Sequence, residues 1–428
     1  MKLRLLILAL IALAFAAGFH RAKQFSLPAS FQFSPIAVTD RTAAHFETHF
    51  ASSKLFTQVH AASAVELKDG RIRAYWFAGS REGARDVQIH SAIFDPLLSR
   101  WSDEQVVVTR EQTQQALHRY VSKLGNPVVA RAADGSLRLF YVTVSLGGWA
   151  GSSITSMTSS DDGATWSSPK RLITSPFLNI STLIKGTPFL YQDGTLGLPV
   201  YHEFISKFAE ILRLDPQGNV LDKQRLAAGG QGTLQPVLFM QSERQARVMM
   251  RYDGNQSPFH AITVTTQDAG QHWSPPSKST MRNSDAALTG LTLADGRMLA
   301  VYNDLEHGRE ALSLMISNDA GETWQQVNKL EDQLTTNQHL DEKTYRENVA
   351  TLISQTDPLM TDKLVDALDS TAHTTCGSGQ CRYEFSYPYL VQTQRGDFHL
   401  LYTWNRTFIK HVSFNLAWLE EQLNHAAH

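Results

Sequence analysis

Three stretches of this sequence follow one pattern: SSDDGATW at Ser159–Trp166, TQDAGQHW at Thr266–Trp273 and SNDAGETW at Ser317–Trp324. Each of these boxes reads Ser/Thr-x-Asp-x-Gly-x-(Thr/His)-Trp and follows a run of alternating apolar residues. The Asp side chain can bond the nearby backbone and the Gly can adopt a positive φ, so each box predicts a tight hairpin turn. The Trp then packs back onto that turn as an apolar plug.

The spacing of the boxes gives the size of a repeated unit. Their Asp residues stand at 161, 268 and 319, so the gaps are 107 and 51 residues, and the first gap holds one unit without the signature. A unit of about fifty residues with several short strands is typical of a β-propeller blade. Short strands bounded by turns such as Asp69-Gly70 recur from about residue 60 to residue 414, which leaves room for six or seven blades.

The composition and the N-terminus restrict the class of protein. The 428 residues are 42% hydrophobic, and the formal net charge of -2 gives no long-range attraction to nucleic acid or to an anionic membrane. Lys2 and Arg4 precede an apolar stretch at 5–17, and Ala14-Phe15-Ala16 offers a cleavage site, which predicts a secretory signal in residues 1–20. An uncleaved membrane anchor is the alternative. Either segment predicts an exported protein, periplasmic or secreted.

The rest of the chain divides into an N-terminal extension at 21–50 and a propeller at 51–420. Near 332–372 the strand rhythm stops, which predicts a partly helical insertion between the last two blades. The insertion either covers one face of the propeller or forms a mobile surface segment. Cys376 and Cys381 are the only cysteines, and such a close pair in an exported protein predicts a structural disulfide. No metal-ligand spacing stands out, so no metal site is predicted.

The boxes on this spacing resemble the Asp-box (BNR) repeats of the sialidase superfamily. The resemblance implies an all-β fold, a six-bladed β-propeller of four-stranded antiparallel blades in which the box residues build turns. It extends over the chain after residue 55 and is nearest to a bacterial subgroup of sialidase-like proteins rather than to true sialidases. The subgroup's segments are matched at His60–Ser63, Gly79–Gly83, Gly125–Pro127, Leu198–Glu203 and Tyr402–Arg406.

Three residues match functional positions of that family. Arg309, ahead of the last box, resembles the third arginine of a carboxylate-binding triad, and Arg251, ahead of the preceding box, resembles the second. Tyr387 stands where the family has its tyrosine nucleophile. Lys185 is a further candidate from the middle of the chain, whereas we interpret Arg406 as a surface or stacking residue and leave it out of the catalytic set.

Two positions depart from the sialidase pattern. His60-Ala61-Ala62 stands where sialidases have Arg-Ile-Pro, so the first arginine is missing, which weakens a bidentate grip on a carboxylate. Gln235 precedes Pro236 where sialidases have a glutamate, which removes the base that would help to deprotonate the tyrosine. Both changes argue against sialic acid as the substrate and leave a polar pocket intact.

A propeller gathers the inner strands of all its blades round one axis, so distant residues can converge there. We predict an exo-acting, sialidase-like glycosidase that hydrolyses an acidic glycan without a cofactor. Arg251 and Arg309 would grip the sugar carboxylate, and Tyr387 would act as the nucleophile. Either Glu82 or Asp86 would be the acid/base that protonates the glycosidic oxygen. The predicted substrate-binding residues are His60, Arg81, His202, Glu203, Gln235, Arg251 and Arg309.

Two other functions fit the same residues. A polysaccharide lyase would let the arginines neutralise a uronate, with His60 or His202 as the base and Tyr387 as the acid that protonates the leaving group. A glycan-binding propeller without catalysis would have Gln235 as the mark of a decayed active site. Each interpretation expects a carbohydrate partner, no nucleic acid, membrane contact only through the N-terminal segment, and a monomer.

Overall fold

The computed structural model describes residues 2–23, 27–36, 43–175, 179–227, 231–334 and 340–426. Its strands form six antiparallel sheets of four or five strands, and the inner strands of neighbouring sheets contact one another round a closed ring. The fold is therefore a six-bladed β-propeller, and the predicted fold class is confirmed. Within the described residues, the helices are α1 (Lys2–Lys23), α2 (Arg110–Leu117), α3 (Glu342–Thr356), α4 (Leu364–Thr375) and α5 (Leu416–Ala426).

The blades follow the order of the chain, except that strand β1 (Phe46–Phe50) belongs to the last blade. Blade 1 contains β2 (Gln58–Glu66), β3 (Ile72–Gly79), β4 (Gln88–Asp95), β5 (Arg100–Trp101) and β6 (Gln105–Val108). Blade 2 contains β7 (Lys123–Arg131), β8 (Leu137–Val144), β9 (Ser152–Ser159) and β10 (Lys170–Arg171). Blade 3 contains β11 (Leu183–Ile184), β12 (Phe189–Leu190), β13 (Leu196–His202), β14 (Phe208–Leu214) and β15 (Val220–Arg225).

The second half of the ring has the same construction. Blade 4 contains β16 (Thr233–Met240), β17 (Ala246–Tyr252), β18 (His260–Thr266) and β19 (Ser277–Arg282). Blade 5 contains β20 (Thr289–Thr292), β21 (Met298–Tyr302), β22 (Ala311–Ser317) and β23 (Gln325–Asp332). A small hairpin of β24 (Cys376–Gly377) and β25 (Gln380–Cys381) precedes blade 6, which contains β26 (Phe385–Gln392), β27 (Phe398–Trp404), β28 (Phe408–Phe414) and β1.

The three boxes form turns after the third strands of blades 2, 4 and 5. In the first box, Asp161 accepts hydrogen bonds from Ser159 Oγ at 2.7 Å and from the Thr165 amide at 2.9 Å. Gly163 has a φ of 85°, as the turn requires. Blade 3 is the unit between the first two boxes that lacks the box sequence. The turn after its third strand, β14, is held by Asp215, which accepts a hydrogen bond from the Asn219 amide at 2.7 Å.

A strand from the N-terminal extension closes the ring. Strand β1 pairs antiparallel with β28, from Phe46 opposite Phe414 to Phe50 opposite Lys410. The propeller therefore begins at residue 46, five residues before the predicted boundary at 51. Phe50 is buried, and its ring centroid lies 4.5 Å from that of Phe408. Such a strand covers the edge of blade 6 and joins the two ends of the propeller.

The insertion between blades 5 and 6 packs against this closing strand. Helices α3 and α4 flank a 3-10 helix at Pro358–Lys363, and Val349 and Ile353 of α3 are fully buried in the core shared with blades 5 and 6. Asp357 Oδ2 accepts a hydrogen bond from the Phe50 amide at 3.2 Å. The predicted helical character is confirmed, and the insertion covers the flank of blade 6. Cys376 and Cys381 form a disulfide after α4.

The segment at 27–36 of the N-terminal extension lies at one end of the ring. Phe31 is fully buried, and its amide donates to the carbonyl group of Glu243 at 2.7 Å, in the turn between β16 and β17. Helix α1 contains the predicted signal or anchor segment. In the described ranges, no helix meets the length and apolarity that a membrane span requires.

Candidate active site

Irregularities of the inner strands place the candidate site. The register shifts near the start of the inner strand in blades 1, 2, 4 and 6, which marks a β-bulge in each. A residue other than glycine with a φ between 42° and 56° lies at each bulge, and another precedes the inner strand of blade 5. Since such a φ is unfavourable without glycine, the recurrence indicates one functional end of the axis. These residues are Ala61, Asn126, Gln235, Asp285 and Tyr387.

The hydroxyl group of Tyr387 receives hydrogen bonds from two side chains. Gln235 Nε2 donates to it at 3.1 Å and Arg251 Nη1 at 3.4 Å. Arg251 Nη1 also donates to Gln235 Oε1 at 3.2 Å, and because a guanidinium only donates, this contact fixes the orientation of the amide. Gln235 therefore presents its nitrogen to the tyrosine. Among the described residues, no carboxylate bonds the Tyr387 hydroxyl.

Glu384, which the sequence interpretation missed, holds two arginines. It accepts from Arg309 Nη1 at 3.2 Å and from Arg406 Nε at 2.7 Å. Arg406 Nη1 donates in turn to Glu82 at 2.8 Å. Burial alone would raise the pKa of Glu384, but Arg406 and Arg309 hold it below its ordinary value, so Glu384 is a carboxylate. Arg406 is therefore part of the site and is not the surface or stacking residue that we expected.

Asp285 joins the two predicted carboxylate-binding arginines. Its side chain accepts from Arg251 Nε at 2.7 Å, and its carbonyl oxygen accepts from Arg309 Nη2 at 2.9 Å. The structure thus brings Arg251, Arg309 and Tyr387 together from blades 4, 5 and 6. Each guanidinium also faces an acidic side chain, so the positive charge offered to a ligand is partly compensated.

His60 lies beside the tyrosine as a neutral ring. Its centroid is 4.1 Å from that of Tyr387, and its Nδ1 lies 2.8 Å from Thr403 Oγ1. Burial, followed by the charges of Arg406 and Arg309, lowers the pKa of His60 well below its ordinary value. The ring that replaces an arginine at this position therefore adds no positive charge near pH 7.

Of the two residues predicted at the end of β13, only Glu203 faces the network. Burial raises the pKa of Glu203, and the charge of Arg251 lowers it less. Within the described residues, no side chain bonds its carboxyl group. His202 instead lies 2.8 Å from Glu210 Oε2 and stacks on Phe208, so it is held within its own blade.

The loop between β3 and β4 carries the other predicted acids. Glu82 reaches the network through Arg406. Asp86 accepts hydrogen bonds from the amide and the hydroxyl of Ser80, both at 2.9 Å. These bonds give Asp86 a structural role within the loop. Arg81 is exposed on the same loop. The structure does not bring Asp86 into contact with the arginines in the part of the chain that it describes.

The sequence interpretation left out Asn126 and Tyr201, which extend the network beyond Gln235. Asn126 Nδ2 donates to Tyr201 Oη at 3.2 Å, and Gln235 Nε2 lies 3.4 Å from the same oxygen. One signal was available: Asn126, Gln235 and Tyr387 each precede a proline in an inner strand. Glu384 and Asp285 carry no comparable signal.

A cavity lies at the opposite end of the axis. It measures about 670 Å³ and is lined by residues of the far ends of the inner strands, including Glu66, Arg131, Tyr389 and Arg395. None of the predicted site residues lines it. We place the candidate chemistry at the Tyr387 end, because the converging polar side chains are there.

A family description matches most of the ring. The BNR repeat-like domain matches residues 70–400. The chain belongs to this family. The resemblance of the boxes to BNR repeats is thereby confirmed, and the match includes strands from each of the six blades of this BNR repeat-like propeller. A sequence search of curated proteins gave no significant match.

Solved structures share the fold at low sequence identity. A protein of unknown function from Dyadobacter fermentans has a TM-score of 0.63 and 12% identity, and the alignment covers 86% of this chain and 98% of that one. A Hadza microbial sialidase has a TM-score of 0.60 and 14% identity, covering 84% and 66%. The NanB sialidase of Streptococcus pneumoniae has a TM-score of 0.54 and 10% identity, covering 93% and 72%. The BNR repeat-like chain thus has a sialidase-like propeller fold.

Proposed function

We propose that this propeller binds an acidic glycan at the Tyr387 end of its axis and hydrolyses a glycosidic bond in it. The observation that carries the proposal is the convergence of Tyr387 with Arg251 and Arg309 from three blades. A sialidase-like fold is compatible with either glycoside hydrolysis or glycan binding. The cluster favours hydrolysis because it joins a nucleophile to cationic groups that can orient a sugar carboxylate.

The proposed roles follow from the contacts. Arg251 and Arg309 bind the carboxylate with donors that remain after their bonds to Asp285. Tyr387 Oη attacks the anomeric carbon, and its two hydrogen-bond donors stabilise the phenolate that forms. Glu203 is the proton donor, since burial raises its pKa and favours the acid form.

The reaction has two balanced halves. In the first, the Tyr387 hydroxyl gives its proton to water, the phenolate oxygen bonds the anomeric carbon, and the glycosidic bond breaks with transfer of the Glu203 proton to the leaving oxygen. In the second, water attacks the anomeric carbon while the Glu203 carboxylate takes its proton. The tyrosine oxygen leaves and regains a proton from solvent.

A lyase is the second candidate, and His60 favours it. The imidazole is neutral, and its centroid lies 4.1 Å from that of Tyr387, as a base paired with an acid would lie in the elimination of a uronate. In the tautomer in which Nδ1–H donates to Thr403, Nε2 keeps a free lone pair for a proton. The two candidates use the same arginines and differ in the product.

The test is product analysis on sialosides and on uronate-containing polysaccharides. Hydrolysis releases a saturated sugar, elimination releases an unsaturated uronate, and binding alone releases neither but is seen by calorimetry. We expect Tyr387→Phe and Arg309→Ala each to lower the rate at least about 100-fold. Tyr191→Phe, at the other end of blade 3, is the matched control. If both site variants kept the wild-type rate, the assignment would be wrong.

We further propose that the protein is exported, with α1 as a signal or an uncleaved anchor. The proposal rests on the basic residues and the apolar run of residues 1–20. N-terminal sequencing of the protein recovered from its native compartment distinguishes the two forms. A cytoplasmic protein with an intact N-terminus would contradict export.

A further inference from the structure

Lys185 lies buried beneath the candidate site, where the inner part of blade 3 is interrupted between β11 and β12. Lys185 is 4% exposed. Its Nζ lies 3.5 Å from the carbonyl oxygen of Ala62 and 3.4 Å from that of Pro388. Nζ also lies 5.7 Å from the ring centroid of Tyr387 and 5.1 Å from that of Tyr389. In the described ranges, no carboxylate forms an ion pair with it.

The carbonyl groups that Lys185 contacts follow residues with positive φ. Ala62 comes directly after Ala61, whose φ is 56°, and Pro388 comes directly after Tyr387, whose φ is 55°. Lys185 therefore bonds the bulges of blades 1 and 6 at the same relative position, at the carbonyl group one residue after the residue with positive φ.

The next residue contacts a third bulge. A Cβ added to Gly186 would lie 2.1 Å from the carbonyl oxygen of Pro236, which directly follows Gln235, whose φ is 49°. Lys185 and Gly186 together thus touch the backbone below three of the residues with positive φ, in blades 1, 4 and 6. In blade 3 the residue with positive φ is Ser181, ahead of β11, and Lys185 and Gly186 from the same blade support the other three.

We propose that Lys185 is a positioning residue: its amino group holds the carbonyl groups that follow Ala61 and Tyr387 and so keeps the Tyr387 hydroxyl within reach of Gln235 and Arg251. A non-glycine residue in the left-handed region is strained and persists only where its surroundings fix it. A buried lysine with no ion-pair partner costs free energy, and a role in fixing the bulges gives a reason for its presence. The role in catalysis rests on the proposed function, but the role in geometry does not.

The hydrogen bonds of Lys185 to the two carbonyl groups depend on the charge of its amino group. Burial lowers the pKa of Lys185 to about 7, so the ammonium form, the stronger donor to a carbonyl group, is lost as the pH rises through about 7. The titratable groups that face it are His60 on β2 and Tyr387 and Tyr389 on β26. Burial lowers the pKa of His60 well below its ordinary value and raises the pKa of Tyr389 above its ordinary value. His60 and Tyr389 therefore do not titrate near pH 7.

The experiment uses the full chain labelled with ¹³C at Cζ of its tyrosines, with the Tyr387 signal assigned from Tyr387→Phe. We expect the wild-type signal to shift with a midpoint near pH 7, and Lys185→Met to move the signal and remove the midpoint. Lys185→Arg, which keeps a cation at every pH used, should remove the midpoint alone. A signal that is unchanged in Lys185→Met, or a wild-type signal without a midpoint, overturns the proposal.

Two points keep the outcomes separate. If Lys185→Met does not fold, as judged by circular dichroism, the wild-type titration and Lys185→Arg still decide the question. With a substrate in hand, Lys185→Met should lower kcat at least tenfold while KM changes less than threefold, because the residue does not touch the ligand. If the wild type showed no activity toward acidic glycans, the proposed function would be contradicted, and the NMR test of Lys185 would still apply.

Discussion

The amide nitrogen of Gln235 donates a hydrogen bond of 3.1 Å to the hydroxyl oxygen of Tyr387. A glutamate at this position would accept the tyrosine proton, whereas the glutamine, oriented by Arg251, can only donate to that oxygen. Gln235 and Arg251 therefore stabilise negative charge on the tyrosine oxygen, and Gln235 does not act as a base toward it. Under the proposed function, this polarity belongs to an intact site of a different design and not to a decayed sialidase site.

Gln235→Glu tests that distinction. We expect the change to lower the rate of glycan cleavage at least about tenfold, or about 1.4 kcal/mol, because a carboxylate repels charge on Tyr387 and neutralises Arg251. Initial rates on the best acidic substrate measure the effect. Gln105→Glu, on the exposed outer edge of blade 1, is the control. A gain in rate on sialosides would show that Gln235 marks a decayed site.

Glu384→Gln tests the arrangement of the arginines. Glu384 bonds both Arg309 and Arg406, and the amide replaces one of its two charged oxygens with a donor that faces a guanidinium. We expect the affinity for an acidic sugar to fall about 10- to 100-fold, since the two cations then repel and move apart. Calorimetric titration of a sugar that the wild type binds gives the measurement. Equal affinity in the variant would exclude an organising role for Glu384.

Glu203→Gln tests the proposed acid. Activity requires the protonated form, so the rate should fall as the pH rises through the raised pKa of Glu203. Because this folded-state pKa is raised, the carboxyl group contributes stability below its unfolded pKa and loses it as the pH rises. We therefore expect Glu203→Gln to lower cleavage at least about 100-fold and to leave the protein as stable or more stable at pH 7. The exposed Glu306→Gln serves as the control for both readouts.

Phe50→Ala tests the closing strand. Phe50 is 6% exposed and packs on Phe408, so its truncation should lower the free energy of unfolding by about 3–5 kcal/mol. Phe46 lies in the same strand but is 42% exposed, and Phe46→Ala should cost less than about 1–2 kcal/mol. Denaturant unfolding of the two variants gives the comparison. A loss in Phe50→Ala no larger than that expected for Phe46→Ala would mean that burial of the Phe50 ring does not hold β1 in place.

The turns made the propeller predictable, because a box encodes its structure within eight residues; their spacing left room for six or seven blades, and the resemblance implied six. Strand β1 was not predictable, since its pairing with Phe414 at one end and Lys410 at the other depends on residues more than 350 positions away. The same difference in range separates the parts of the site. Tyr387 and Arg309 could be found from the residues around them, whereas Glu384 and Asp285 have meaning only through arginines that the fold brings to them. The contact of His202 with Glu210 was likewise out of reach, because it crosses a hairpin.

The box turns themselves should be acid-labile. Asp319 accepts hydrogen bonds from Ser317 Oγ at 2.8 Å and from the amide of Thr323 at 2.8 Å, and the side-chain and backbone bonds of Thr323 lower the pKa of Asp319 to about 2. Since an unfolded Asp has a pKa of about 3.9, this stabilisation is complete above pH 4 and is lost as the pH falls to about 2. We expect Asp319→Asn to lower Tm by about 1–3 °C at pH 7, and the difference to vanish near pH 2. The exposed Asp103→Asn should show neither effect. A Tm difference that stays constant from pH 7 to pH 2 would mean that the turn does not depend on the ionised carboxylate.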